Sequence, residues 1–307
     1  MSERKRKGKD KNLPAKYKKS RKVLKIISIF FLCVFLVIFA GCIYIGVKVS
    51  DIVAEEIDNC ADFVTKVSTG EISKLDLSTF MYDKDGNKID VLYGNENRIE
   101  LKYDEIPKSV VDAVVSIEDE RFFEHKGVDL KRTFGAAYTY LTNNGNSDFG
   151  GSTITQQLVK NVTEDKETNI KRKIREWYRA YVLESNFSKE KIFEEYINTI
   201  YMGEGAYGFE VASKKYFGKS LKDVNLSESA VLAAAIQSPE STNPYTSDEC
   251  RKRLLDRKNV VLSKMLELGK ITTLEYNEAI NTNIEFKKQE DGNTIKSYFV
   301  DAVIEQM

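Results

Sequence analysis

The feature that most constrains this chain is a stretch of 22 residues without a charged side chain, from Ile26 to Val47. As an α-helix it would be about 33 Å long, and the hydrocarbon core of a bilayer is about 30 Å thick. The stretch therefore predicts one transmembrane helix. Residues 1–25, which precede it, contain 12 Lys and Arg but only two acids. Because positively charged flanks stay in the cytoplasm, we expect the N-terminus inside the cell and everything after Lys48 outside.

The N-terminal region has two other interpretations. A cleaved signal peptide normally has an apolar region of only about 7–15 residues, which is shorter than this one. Phe39-Ala40-Gly41-Cys42 also fits a lipoprotein signal. A basic tail alone would suit nucleic acid, but the apolar stretch behind it favours a membrane protein that does not bind nucleic acid.

The rest of the chain is long enough for one main domain with short appendages. With 307 residues and 42% apolar content, the chain can bury a full core. The predicted parts are a basic cytoplasmic tail at 1–25, the transmembrane helix at 26–47, a helical stalk and β-hairpin region at 48–100, a main domain at 101–285 and a linker segment at 286–307.

The sequence predicts no metal site. His125 is the only histidine, and no Cys-x-x-Cys or His-Glu-x-x-His pattern occurs. Only Cys60 and Cys250 lie outside the predicted span, and their pairing stays open. Residues 83–87 resemble a calcium loop, but Lys88 and Gly94 stand where an EF-hand needs glycine and glutamate, so a hairpin turn is the better interpretation.

Apolar periodicity predicts that the main domain is mostly α-helical. Pro107 suits a first helical turn, and the valine-rich stripe after it places Glu118 near the C-terminal end of that helix. Further helices are predicted at residues 153–160, 170–187, 189–201, 227–237 and 249–268, with a shorter one after Thr272. Thr246 and Thr272 begin capping-box patterns, and Gly269 lies where a helix-ending glycine is expected.

The histidine follows a carboxylate pair in the stretch Glu118-Asp119-Glu120-Arg121-Phe122-Phe123-Glu124-His125-Lys126-Gly127. A charged helix end is the simplest interpretation. However, E-D-x-x-F-x-x-H-x-G has five fixed positions, and a chance match in a chain of this length is on the order of one in ten thousand. Because Glu118 is predicted at a helix end, a rigid support would hold its carboxylate.

A glycine-rich turn leads into a second polar stretch, Gly150-Gly151-Ser152-Thr153-Ile154-Thr155-Gln156-Gln157. Ser152 or Thr153 can cap the helix that starts here, and two consecutive glutamines suit a hydroxyl-rich ligand such as a sugar. The next helix carries a basic cluster around Glu176, made of Lys171, Arg172, Lys173 and Arg175, with Lys160 and Lys166 upstream. Such a cluster is often a solvated helix face, but in an otherwise acidic domain outside a membrane it favours a phosphate or pyrophosphate site.

A carboxylate at a helix end and a bank of cations together suit sugar transfer from a diphosphate donor. The carboxylate accepts the proton of the attacking hydroxyl, and the cations stabilise the departing pyrophosphate. Hydrolysis would need the carboxylate and a water instead, and a glycosidase has no need of so many cations at its leaving group. The residues therefore favour a transferase over a hydrolase.

Five motifs follow one another in the main domain: Glu118-Asp119-x-x-Phe122-x-x-His125-x-Gly127, Gly150-Gly151-Ser152-Thr153-Ile154-Thr155-Gln156-Gln157, Arg172-Lys173-x-x-Glu176, Ile200-Tyr201-Met202-Gly203-x-Gly205-x-Tyr207-Gly208, and Glu228-x-Ala230-x-Leu232-Ala233-x-x-x-Gln237-x-Pro239. In this order they resemble glycosyltransferase family 51, the peptidoglycan glycosyltransferases of class A penicillin-binding proteins and of monofunctional enzymes. The resemblance covers about residues 100–285.

The resemblance implies a mainly α fold, with a lysozyme-like glycosyltransferase head and a small membrane-associated jaw, preceded by the transmembrane helix and the β-hairpin region. The implied reaction polymerises lipid II into β-1,4-linked glycan strands with inversion at the donor sugar. Glu118 would be the catalytic acid/base acting on the acceptor 4-hydroxyl, and Glu176 would assist near the pyrophosphate. The implied substrate-binding residues are Asp119, Ser152, Gln156, Gln157, Lys160, Arg172 and Lys173, and the implied structural members are Phe122, His125 and Gly127.

The implied partners are lipid II, the growing glycan strand, the membrane, and other proteins of cell-wall synthesis and division. No cofactor is implied, and the need for a divalent cation such as Mg²⁺ or Mn²⁺ stays open. A muramidase or lytic transglycosylase, which shares the lysozyme-like architecture, and a non-catalytic scaffold of wall synthesis are the alternatives.

Three segments add to this pattern. Family members often carry a basic residue where this chain has Thr168, and Lys166 or Lys171 can supply that charge instead. Residues 130–149, with Phe134, Tyr138, Tyr140 and Leu141, are either a lipid-contacting jaw surface or plain core. Residues 296–301 resemble the start of a linker to a transpeptidase domain, whereas the S-x-x-K patterns at Ser2 and Ser188 are chance matches.

Overall fold

The structure is a computed structural model, and it describes residues 15–69, 79–82, 88–92, 99–142, 151–163, 165, 167, 169–203 and 205–287. The chain divides into two compact units, residues 1–58 and residues 59–307.

The first unit contains one long helix, α1, which spans Ala15–Asp58. It includes all of the predicted span 26–47 and the first part of the predicted stalk. Among the side chains that the structure describes, no helix carries an apolar run long enough to cross a membrane. Several side chains of the predicted span, such as those of Phe30, Phe31 and Val37, lie outside the described set. The transmembrane helix therefore stays a prediction.

The second unit begins with α2, Ala61–Thr69, which packs against the later helix Ile170–Asn186 through its buried Phe63 and Val67. Two short strands follow, β1 at Thr79–Tyr82 and β2 at Lys88–Leu92, and they pair antiparallel with Thr79 opposite Leu92. The predicted turn at 83–87 lies outside the described residues, so the hairpin as a whole stays a prediction.

The predicted helical character of the main domain is confirmed. Its helices are α3 Lys108–Glu118, α4 Leu130–Thr142, α5 Ile154–Thr163, α6 Ile170–Asn186, α7 Lys189–Thr199, α8 Phe209–Phe217, α9 Leu226–Ala235, α10 Asp248–Glu267 and α11 Thr273–Asn281, with short 3-10 turns at Tyr103–Glu105 and Leu221–Asp223. Each predicted helix is present with ends shifted by at most a few residues, because helix ends are the least specified part of an apolar pattern.

Two groups of packed helices share one buried core. In the first group α3, α9 and α10 pack on one another, and the small residues of the alanine-rich α9 allow this close approach. In the second group α5 packs on α6 and α7. The valine-rich stripe of α3 is buried as predicted, with Val110 and Val114 fully inaccessible. Glu118 is the last residue of this helix, so the acid is held by a rigid, fully packed element.

Local capping signals fix several helix starts. Thr153 caps α5, because its Oγ1 accepts from the backbone N–H of Gln156. The capping box at Thr272 is confirmed, and Gly269 follows the end of α10 with a positive φ of 66°. The capping box predicted at Thr246 is wrong by one residue, since the side chain of Ser247 caps α10 instead. Cys60 and Cys250 are both buried free thiols, so they do not pair.

Candidate active site

Glu118 lies at the point where the two helix groups meet. Its carboxylate Oε2 accepts a hydrogen bond of 2.8 Å from Nε2 of Gln157, which belongs to α5 of the other group. The Oε1 of Gln157 accepts in turn from the hydroxyl of Tyr196 on α7, at 2.9 Å. Tyr196 is fully buried and packed. The Glu118 carboxylate is therefore held by a chain of two hydrogen bonds that ends in the core.

The electrostatic surroundings of Glu118 suit a group that exchanges protons. The side chain is half-buried. Burial raises the pKa of Glu118, and the hydrogen bond from Gln157 and the charges of Arg257 and Arg132 act against that rise. A carboxylate with a raised pKa is a better proton acceptor and a better proton donor near neutral pH than an ordinary glutamate.

Asp119 holds the loop after Glu118 in place from inside the protein. The side chain is fully buried. Its Oδ2 accepts from Nε2 of His125 at 2.9 Å and from the backbone N–H of Ile154 at 3.0 Å. The first bond closes the motif on itself, and the second ties it to the first residue of α5. The substrate-binding role that the resemblance implies for Asp119 stays a prediction, and the structure shows its Oδ2 bonded inside the protein.

Phe122 and Gly127 fix the shape of the same loop. Phe122 is fully buried. Its ring centroid lies 6.0 Å from that of Phe193 and 4.4 Å from the ammonium nitrogen of Lys189. Gly127 has a φ of +87°, and a Cβ there would lie 2.7 Å from the backbone carbonyl of Ala180 on α6. The hydroxyl of Thr153 donates to the carbonyl of Gly127 at 2.6 Å. These contacts explain why the motif needs an aromatic residue and a glycine at these positions.

Glu176 on α6 is the centre of a second, cationic cluster. Its Oε2 accepts from Nη1 of Arg172 at 2.7 Å, and its Oε1 is bonded to Nζ of Lys173. Oε1 also accepts from Nε2 of Gln156 at 3.1 Å. Lys173 donates as well to the hydroxyl of Ser152 at 3.2 Å. The carboxylate is almost fully buried, whereas the two cations are partly exposed, so positive charge faces outward.

The two adjacent glutamines link the two carboxylates. Gln157 binds Glu118 and Gln156 binds Glu176, so α5 lies between them and holds both. Each amide is bonded to a carboxylate, and the predicted role of both as sugar ligands stays a prediction. Lys160 follows the two glutamines by three and four residues, so it lies on the same face of α5. Its side chain is exposed.

Other predicted residues lie elsewhere or outside the described part of the chain. Arg175 is not part of the Glu176 cluster, because its guanidinium pairs with Asp165 at 3.0 Å and Glu167 at 2.6 Å. Lys166 and Thr168 lie outside the described residues. Of the suggested jaw surface, Leu130 and Phe134 are 54% and 69% exposed, while the side chains of Tyr138, Tyr140 and Leu141 are not described.

Three residues near Glu118 were not found by sequence reasoning. Tyr196 looks like an ordinary core residue of α7, and Arg132 and Arg257 look like ordinary surface arginines of α4 and α10. No spacing rule connects them with Glu118, since only the packing of the helices brings them near it. Among the described residues, no group of three or more His, Cys, Asp and Glu could hold a metal ion.

Comparisons with known proteins agree with this arrangement. A family model described as Transglycosylase matches residues 85–266. Penicillin-binding protein 1A of Clostridium perfringens is 38% identical over 290 residues, which is 92% of this chain and 41% of that protein. The protein of the same name from Aquifex aeolicus is 41% identical over 226 residues, or 73% of this chain and 30% of that protein. The chain spans less than half the length of these relatives.

A crystal structure of penicillin-binding protein 1A from Haemophilus influenzae is 26% identical and covers 76% of this chain and 24% of its own. Its TM-score of 0.40 is too low to bear on the fold. The family match covers more than half of this chain and includes both carboxylates and the cations around them. The chain therefore belongs to the transglycosylase family, as a peptidoglycan glycosyltransferase domain of the kind found in class A penicillin-binding proteins.

Proposed function

We propose that this chain polymerises lipid II into β-1,4-linked glycan strands and releases undecaprenyl diphosphate. The observation that carries the proposal is the pair of carboxylates on either side of α5. One of them, Glu118, is half-buried and has few polar contacts, and the other, Glu176, is surrounded by cations. Such a difference in environment separates a proton-transfer group from a phosphate-binding group.

Glu118 would act on the acceptor. Its carboxylate takes the proton of the acceptor 4-hydroxyl while the hydroxyl oxygen attacks C1 of the donor sugar. The new bond forms on the face opposite the diphosphate, and the bond from C1 to the diphosphate oxygen breaks, which inverts the configuration at C1. Because burial raises the pKa of Glu118, the carboxylate retains the proton well once it has accepted it.

The cations of the Glu176 cluster would receive the diphosphate. Arg172 and Lys173 carry two positive charges against the one negative charge of Glu176, so the trio keeps a net charge of about +1. Glu176 fixes the directions of both cations before the substrate arrives, which lowers the entropy lost on binding. Lys160, exposed on the neighbouring helix, adds a further positive charge. This arrangement stabilises the charge that develops on the leaving diphosphate.

Substitution of the proposed base tests the function. Purified protein in detergent is given labelled lipid II, and the glycan products are separated by size. We expect E118Q to reduce polymerisation by at least about 10²-fold, since general acid–base catalysis typically contributes 10²–10⁴-fold. The matched control is E120Q, two residues beyond the end of α3, where an exposed carboxylate pairs with Lys264 at 3.2 Å. Equal rates for E118Q and wild type would refute the role of Glu118.

The same protein is also given finished cell-wall glycan. We expect no cleavage, because the cations that suit a diphosphate have no task in hydrolysis. Breakdown of glycan without polymer formation from lipid II would contradict the proposal and favour a lytic enzyme.

We also propose that residues 26–47 anchor the protein in the cell membrane, with the N-terminus in the cytoplasm and the catalytic domain outside. A cysteine reporter introduced after residue 60 should react with an impermeant reagent on intact cells. Reaction only after lysis would show the opposite topology.

Because the matched relatives are named penicillin-binding proteins and are more than twice as long, we propose that the full-length protein carries a D,D-transpeptidase domain and works with other cell-wall synthesis and division proteins. Absence of labelling of the full-length protein by a fluorescent penicillin would refute the transpeptidase.

A further inference from the structure

A largely buried ion pair spans the turn between α6 and α7. It joins Glu184, in the last turn of α6, to Lys189, the first residue of α7. Nζ of Lys189 lies 2.7 Å from Oε1 of Glu184, and the two side chains are only 16% and 5% exposed. Neither residue belongs to the five sequence motifs or to the cationic cluster around Glu176.

The carboxylate of Glu184 also holds α5. Its Oε1 accepts a hydrogen bond of 2.6 Å from the hydroxyl of Thr155, which is fully buried. A charged acceptor makes this bond stronger than one between neutral groups. Thr155 directly precedes the two glutamines whose amides bond to the two carboxylates of the site. Glu184 therefore fixes α5 immediately before those amides.

The ammonium group of Lys189 contacts the loop after Glu118. Its Nζ lies over the ring of Phe122, 4.4 Å from the ring centroid, and Phe122 is fully buried. The negative face of an aromatic ring attracts a cation, and the attraction is stronger where water is excluded. One continuous line of contacts therefore runs from Phe122 in the loop through Lys189 and Glu184 to Thr155 in α5.

Stability alone is a weak reason for such an ion pair. Removing two charges from water costs free energy that their attraction only roughly repays, so an apolar pair of similar size is often at least as stable. Other bonds already join the loop to α5: Asp119 accepts from the backbone of Ile154, and Thr153 donates to the carbonyl of Gly127. The ion pair adds something different, because it holds both the loop and α5 against the turn between α6 and α7.

We infer that Glu184 and Lys189 are positioning residues of the active site. Their ion pair keeps the loop after Glu118 and the start of α5 in one fixed arrangement, in which the amide from α5 meets the Glu118 carboxylate. The inference rests on the proposed function, since Glu118 is the base of that reaction. Neither side chain of the pair touches substrate, and both act through the residues that they hold.

The test breaks the line of contacts in its middle and keeps its two ends. The double variant E184Q/K189M leaves no charge unpaired, since the introduced amide can still accept from Thr155 and the introduced apolar chain fills the space over Phe122. Initial rates with labelled lipid II give kcat and KM for the purified chain. We expect kcat to fall about tenfold, within the roughly 10²-fold that a misplacement of about 1 Å can cost. KM should stay close to the wild-type value, because the cations around Glu176 are unchanged.

The same double change in the E118Q background separates positioning from a general structural effect. The base is already absent there, so displacing its loop should lower the residual rate by a much smaller factor. Partial unfolding would instead lower the rate by the same factor in both backgrounds. K189R keeps a cation that suits both a carboxylate and an aromatic face, so it should retain most of the wild-type kcat.

The matched control is K191M, two residues further along α7. Lys191 pairs with Glu194 and with Glu195, the latter at 2.7 Å, and both partners lie on its own helix. K191M should therefore leave kcat unchanged. If E184Q/K189M does not fold, T155V takes its place, because it removes the bond to α5 and keeps the ion pair; we expect the same pattern of kcat and KM.

Several outcomes would overturn the inference. An unchanged kcat in E184Q/K189M would show that the ion pair does not position the site. An equal loss in the wild-type and E118Q backgrounds, or an equal loss in K191M, would show a general structural effect. If wild type makes no polymer, the proposed function fails and the inference fails with it, whereas an active wild type with an equally active double variant refutes the inference alone.

Discussion

Replacing Gly127 with alanine should destabilise the loop that carries the catalytic motif. Two costs add at this position. The φ of +87° lies in the left-handed region, which costs a residue with a Cβ about 1–2 kcal/mol. The new Cβ would also lie 2.7 Å from the carbonyl carbon and oxygen of Ala180, which are backbone atoms of α6 and cannot turn away. Overpacking of this kind typically costs about 1–3 kcal/mol, so G127A should lose about 2–5 kcal/mol of unfolding free energy.

Urea unfolding followed by circular dichroism measures this loss, and G269A is the matched control. Gly269 also has a positive φ, +66°, but nothing lies within 4 Å of the position of its Cβ. G269A should therefore show only the backbone cost of about 1–2 kcal/mol. The difference between the two variants isolates the close approach of the loop to α6. Equal losses in both would refute the argument that this contact, and not the φ angle alone, requires glycine at position 127.

Three further substitutions or conditions test the site. Because burial raises the pKa of Glu118, the acidic limb of the wild-type kcat/KM profile should lie at higher pH than expected for an ordinary glutamate. Initial rates measured across pH check this. Activity that persisted unchanged down to the pKa of an ordinary glutamate would contradict it. Y196F removes the hydroxyl that donates to Gln157. We expect a several-fold lower kcat and a loss of only about 1 kcal/mol of unfolding free energy in urea. An unchanged kcat would show that this hydrogen-bond chain does not contribute to catalysis. D119N removes the carboxylate that accepts hydrogen bonds from His125 and Ile154, so it should lower the free energy of unfolding by about 2–3 kcal/mol. A loss below about 0.5 kcal/mol in urea unfolding would argue against a supporting role for Asp119.

The fold and the site were predictable from the sequence to different degrees. The helices were predictable, because burial of one face imposes a period of about 3.6 residues on the apolar positions. Capping was predictable at Thr272 but was displaced by one residue at Thr246, since neighbouring Ser and Thr have nearly the same preference for this position. The bonds from Gln156 and Gln157 to the two carboxylates could not be predicted, because an amide suits a sugar and a carboxylate equally well. Their role as sugar ligands stays a prediction.

The sequence by itself determined the features that depend on neighbours along the chain. These are the helix that ends at Glu118, the glycine at 127 that a tight loop requires, and the basic residues one helical turn or less from Glu176. Their geometry follows from backbone dihedrals and helical spacing, which a short stretch of sequence specifies. Only the tertiary structure decided which distant groups meet. Gln157, on α5 of the other helix group, reaches Glu118 from 39 residues away, because the packing of the helices sets that position and no local pattern encodes it.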